Sequence, residues 1–119
     1  MSVHVTWVVV ADQARATIFA VPRGMARLRE VIELESGEES AGHGAPQVYG
    51  FAAELALYLD EAHRDGRFDE LILVAAPTFL GQLRDSLHKA ARDAVVGEIG
   101  KNLTGAGRET LQEAVLRVL

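Results

Sequence analysis

The sequence predicts a single α/β domain built on a mixed β-sheet, with element order βββ-α-β-α-β-α and helices on both faces. Three observations carry this. Two β-branched, apolar segments near the start are separated by only a short polar break. A third segment alternates apolar and charged residues. Later comes Leu71-Ile-Leu-Val-Ala-Ala-Pro-Thr-Phe-Leu-Gly-Gln-Leu-Arg84, in which a six-residue apolar run leads through Pro77 into leucines at helical spacing. A run of that length suits a strand covered on both faces and is too short to span a bilayer. Proline is tolerated where the next helix begins, because the first amides of a helix lack partners in any case.

Taken in order, Val3 to Ala11 reads as a central strand, and Ala14 to Val21 as the next one. Only Asp12-Gln13 lies between them, so the two should be antiparallel neighbours in a hairpin. After the Pro22-Arg23-Gly24 turn, Arg27 to Glu35 places Leu28, Ile32 and Leu34 on one face and Arg27, Arg29, Glu33 and Glu35 on the other. That is the pattern of a half-exposed strand near a sheet edge. Ser36 to Pro46 is Gly-rich and poor in apolar residues, which predicts a mobile surface loop. From Gln47 to Asp65, Val48, Phe51, Ala52, Leu55, Leu59 and Ala62 form one stripe of a helix that Gly66 should terminate. Its exposed face is read as Glu54, Asp60, Glu61 and Arg64.

The Leu71 strand is followed by a helix carrying Leu80, Leu83 and Leu87. Val95, Val96 and Ile99 suit a short fifth strand, since Gly97 and Gly100 disfavour helix. Gly105 and Gly107 precede a last helix with Leu111, Ala114, Val115 and Val118 on its buried side. The order resembles the ribonuclease H-like arrangement. The right-handed crossover rule makes the Leu71 strand parallel to the first, and the crevice between their carboxyl ends is a natural ligand position.

Composition narrows the function. The 119 residues fit one domain spanning 1–119, and the absence of cysteine removes disulfides, thiolate metal sites and a Cys nucleophile. No signal peptide and no membrane span are visible, so a cytoplasmic protein is expected. A net charge of −5, with 12 Lys and Arg against 17 acids, gives no general basic face for nucleic acid.

Trp7-Val-Val-Val-Ala-Asp12 with Ala14-Arg15-Ala16, Gly66-Arg-Phe-Asp69 leading into the Leu71–Arg84 block, and Val95-Val-Gly-Glu-Ile-Gly-Lys-Asn-Leu-Thr104 together resemble the bacterial host attachment family, the proteins required for attachment to host cells. That family is grouped with bacterial relatives of the central domain of archaeal and eukaryotic peptide-chain release factors. The resemblance implies ribosome or tRNA as partner. In release factors the loop before the first long helix carries a Gly-Gly-Gln motif. Here that place reads Gly42-His-Gly-Ala-Pro-Gln47, and Pro46 fixes φ where a Gly-Gly pair would be free.

The candidate binding residues are therefore His43 and Gln47 in the loop, Arg84, Lys89 and Arg92 in a basic cluster with His88, and Lys101 and Thr104 near the same end of the sheet. Each also has a plain structural reading: solvated loop residues, a helix face whose cations favour the helix C-terminus, a turn or cap residue. No catalytic residue, metal site or cofactor is assigned. The four histidines are scattered, and no serine sits in a nucleophile elbow. The leading expectation is a non-catalytic interaction module, with a protein partner as a further option. The alternative is an enzyme, either a residual peptidyl-tRNA ester hydrolase acting through residues 42–47 or a metal-dependent nuclease at Asp12, with Glu54 as a candidate second carboxylate. Asp12 is more simply a hairpin residue whose carboxylate bonds backbone amides. Pairing of the third strand with its copy would give a homodimer, which Arg29, Glu33 and Glu35 oppose.

Overall fold

The computed structural model describes residues 4–22, 27–36 and 50–118. Residues 37–49, which hold all of the Gly-rich loop but Ser36 and include His43 and Gln47, lie outside the described residues, as do Met1 to Val3. Among the described residues there are five strands: β1 (Val5–Ala11), β2 (Arg15–Pro22), β3 (Arg29–Glu35), β4 (Glu70–Val74) and β5 (Val95–Ile99). They form one mixed sheet in the order β3-β2-β1-β4-β5. β2 is antiparallel to both β1 and β3, whereas β4 is parallel to β1 and β5 parallel to β4. β3 is an edge strand, and its pairing with β2 shifts register between Ile18 and Phe19.

The helices among the described residues are α1 (Gly50–Arg64), α2 (Pro77–Ser86), α3 (Lys89–Asp93) and α4 (Arg108–Leu116). Side-chain alternation along β1 and β4 divides the core into two layers. Trp7, Val9, Leu71 and Leu73 face α1, α2 and α3, where they meet Leu55, Leu59, Phe79 and Leu83. Val8, Val10, Ile72 and Val74 face α4, where they meet Leu111 and Val115. Every β4 residue from Leu71 to Val74 is fully buried, which explains its unbroken apolar sequence. Burying each such side chain is worth about 1.5–3 kcal/mol.

Two glycines have specific roles. Gly66 sits at φ +74° after α1, and the amides of Gly66 and Arg67 donate to the carbonyls of His63 and Ala62, both at 3.0 Å. This closes the helix as a Schellman turn, where a side chain would be strained. At Gly97, a Cβ would lie 3.1 Å from Cβ of Val118, so the glycine lets the chain after α4 approach β5. No helix among the described residues is long and apolar enough to cross a membrane.

Besides Leu28, which precedes β3 and packs in the α4-side layer rather than on one face with Ile32 and Leu34, two sequence readings need correction. The helix after β4 does not continue past Leu87: α2 ends at Ser86, Leu87 is extended at φ −72°, ψ 142°, and α3 restarts after His88. The second correction explains the first. Asp60 is not on the exposed face of α1 but is 7% exposed, and its Oδ1 accepts the backbone N–H of His88 at 3.0 Å. A buried carboxylate thus supplies the acceptor that the restarting helix requires.

Removing that acceptor should be costly. Asp60→Ala leaves the His88 amide unsatisfied and is expected to lower stability by about 1–3 kcal/mol in urea unfolding. Asp60→Asn retains an acceptor oxygen and should recover most of the loss.

Candidate functional site

The carboxyl ends of the parallel strands β1, β4 and β5 lie together on one side of the sheet, and three connections converge there. The β1–β2 turn contributes Asp12, Gln13 and Ala14. The β4–α2 junction contributes Ala76, Thr78 and Phe79, and the β5–α4 connection contributes Asn102. These seven residues line an open groove of about 320 Å³. It occupies the crevice between β1 and β4 that the topology predicts.

Asp12 holds this region together. Its Oδ1 accepts the amides of Ala14 at 2.7 Å and Arg15 at 2.9 Å, while its own N–H donates to the Arg15 carbonyl at 2.9 Å. This is an Asx-type hairpin turn. Its Oδ2 lies 3.1 Å from the Thr104 hydroxyl, which is also 2.7 Å from Asn102 Oδ1; the single hydroxyl proton serves one acceptor at a time. Asn102 Oδ1 further accepts the Thr104 amide at 3.1 Å. The β1–β2 turn and the β5–α4 connection are thereby clamped across 92 residues of sequence. Burial acts to raise the Asp12 pKa, but the two amides, the Thr104 hydroxyl and the Arg15 charge together hold it below its ordinary value.

The groove also receives the start of α2. Pro77 has no N–H, Ala76 provides no side-chain cap, and the first helical amide with an intrahelical acceptor is that of Leu80, bonded to the Ala76 carbonyl at 2.9 Å. The site therefore combines a committed carboxylate, amide acceptors and helix-start donors. Thr104 touches Asp12, but a carboxylate held below its ordinary pKa is a weak proton acceptor for that hydroxyl. Glu54 lines a different groove, beside Leu34 and Phe51, and is not brought to Asp12. Among the described residues, no three His, Asp or Glu side chains are gathered to hold a metal ion.

The structure distributes the sequence-predicted binding residues over two regions. Thr104 and the exposed Lys101 lie at the sheet end near Asp12. Arg84, Lys89 and Arg92 lie along α2 and α3, and all three are engaged: Arg84 Nη1 is 2.7 Å from Glu98 on β5, Lys89 Nζ is 2.8 Å from Asp93, and Arg92 Nη2 donates to the Leu87 carbonyl at 2.8 Å. His88 Nδ1 lies 3.7 Å from Asp60 Oδ2. The surface ion pairs contribute at most about 1 kcal/mol each, so a stronger anion could displace them. Sequence reading did not single out Asn102 or Asp60. The Asn102-x-Thr104 spacing is an Asx-turn signal, and Asp60 continues the i, i+4 row of Ala52 and Ala56.

Asp12→Ala is expected to lower stability by about 1–2 kcal/mol at pH 7, from the loss of the turn and clamp hydrogen bonds. Because the folded carboxyl is held below its unfolded value, its contribution is complete above the unfolded pKa and fades as pH falls through the folded one. Urea unfolding of wild type and variant should therefore converge as pH drops below about 4.

No curated protein matches the chain. Among solved structures, one described as an archaeal protein superposes with a TM-score of 0.60 at 18% identity, covering 95% of this chain and 33% of its own. Another, the archaeal translation termination factor aRF1, superposes with a TM-score of 0.59 at 17% identity, covering 96% of this chain and 34% of its own. The chain thus spans about a third of the length of these structures, and the likeness is one of fold. The family model for bacterial archaeo-eukaryotic release factor family 12 matches residues 31–115. The chain belongs to that family.

Proposed function

We propose that this domain is a non-catalytic interaction module that engages the ribosome or tRNA in the cytoplasm. The observation that carries the reading is the family match, which runs from β3 to α4 and includes the whole β4–α2 block. The geometry of Asp12 supports the non-catalytic part, because its carboxylate is committed to the turn and the clamp. His43 and Gln47 in the loop, Arg84, Lys89 and Arg92 on α2–α3, and Lys101 with Thr104 at the sheet end are the residues proposed to meet the partner. Phosphate would compete with Glu98 and Asp93 for two of these cations. Binding should therefore be modest in affinity and weaken steeply with salt. Attachment to host cells enters only through the sequence resemblance, carried chiefly by the Phe68–Arg84 block and supported by the Trp7–Ala16 and Val95–Thr104 stretches.

An enzymatic reading has a narrower basis. An ester hydrolase would depend on Gln47, where Ala45-Pro46 replaces the Gly-Gly pair of release factors, and a nuclease would depend on Asp12.

Co-sedimentation with bacterial ribosomes at low and moderate salt tests the module. Salt-sensitive binding is expected, and an Arg84→Glu/Lys89→Glu/Arg92→Glu variant that retains wild-type circular dichroism should lose about tenfold or more in affinity. Absence of binding at low salt would overturn the proposal. Peptidyl-tRNA hydrolysis abolished by Gln47→Ala, or magnesium-dependent nuclease activity abolished by Asp12→Ala, would replace it with the corresponding enzyme.

A further inference from the structure

The outer edge of β3 and the groove beside it have a defined chemistry that the preceding reading does not use. Ser36 N–H donates to the Ala14 carbonyl at 2.8 Å, and Leu34 and Ile32 pair with Ala16 and Ile18. Backbone direction alternates along an antiparallel ladder, so the amides and carbonyls of Ile32 and Leu34 face β2, whereas those of Glu33 and Glu35 face outward. No strand lies beyond β3 among the described residues.

Beside this edge, between β3 and α1, is a groove of about 170 Å³ lined by Leu34, Glu35, Phe51, Glu54, Leu55 and Tyr58. Ile32 and Leu34 pack on the α1 side of the sheet, which places the side chains of Glu33 and Glu35 on the opposite face. Neither these two nor Glu54 forms an ion pair with a described residue. An added strand would extend the apolar row formed by Ile32 and Leu34 with every second side chain. Its alternate side chains would lie beside the two glutamates.

We propose that β3 and α1 form a docking groove for an extended segment of a partner protein in which apolar and basic residues alternate, bound as an additional strand. Its apolar side chains enter the groove beside Leu34 and Tyr58, and its Lys or Arg side chains face Glu33 and Glu35, with Glu54 at the rim. Charge selects this occupant over the others. Nucleic acid phosphate is repelled by the three glutamates, and a second copy of β3 would bring more glutamates to the same edge. The register shift opposite Ile18 and Phe19 confines pairing to the stretch from Ile32 to Glu35.

The test is an NMR titration of the full chain with the synthetic heptapeptide Lys-Val-Lys-Leu-Lys-Val-Lys. Saturable shifts at the Glu33 and Glu35 amides and at Leu34 and Tyr58 are expected. A peptide with Pro at its centre, which lacks the donor needed for pairing, should bind about tenfold more weakly or less. A Glu33→Gln/Glu35→Gln variant should lose about threefold or more. Equal binding of the proline peptide and equal affinity of the variant would reduce the interaction to unspecific charge attraction and overturn the proposal. Binding absent or mapped elsewhere would also overturn it. So would slow hydrogen exchange at the Glu33 and Glu35 amides in the free protein, which would mean that this chain or a second copy already covers the edge.

Discussion

The parallel pairing of β1 with β4, buried on both faces, is the constraint on which the rest of the structure depends. Val8 and Val9 pair with Ile72 and Leu73, and all four side chains have no exposure to solvent. Neither strand could exist in water alone, and each face needs its own cover: α1, α2 and α3 on one side, α4 on the other. The pair is pinned at its start by reciprocal bonds, in which the Val5 amide reaches Asp69 Oδ2 and the Asp69 amide reaches the Val5 carbonyl, both at 2.8 Å. Placing β1 beside β4 in parallel also brings their carboxyl ends together. The groove at Asp12 and Thr78 is a geometric consequence of the same pairing.

That relation links the fold to the proposed role. The residue best placed for metal chemistry, Asp12, is held by two amides and the Thr104 hydroxyl, and stabilises the mouth of the crevice. The basic residues of α2 and α3 have counter-ions or carbonyl partners of their own. In the proposed role, a partner's phosphates would have to displace these ion pairs.

Much of this was legible in the sequence. The unbroken Leu71–Ala76 run announced a doubly covered strand, the Asp12-Gln13 break announced a hairpin, and Gly66 announced the end of α1. Those signals are local, governed by periodicity and turn chemistry. The break at Leu87 was not legible, because Leu80, Leu83 and Leu87 keep helical spacing through it; the carboxylate that receives the His88 amide at the break, Asp60, is 28 residues away. The Asp12–Thr104 clamp likewise depends on a tertiary contact that neither residue's neighbours encode. Residues His43 and Gln47 lie outside the described residues, and their role stays with the resemblance.

Native-state hydrogen exchange tests the central claim most directly. If the β1–β4 pair is the element on which all others rest, the amides of Val8 to Val10 and Leu71 to Val74 will exchange only through global unfolding, with free energies equal to that from urea denaturation. Exchange of these amides at markedly lower free energy, while the helices or the β2–β3 pair stay protected, would contradict the account.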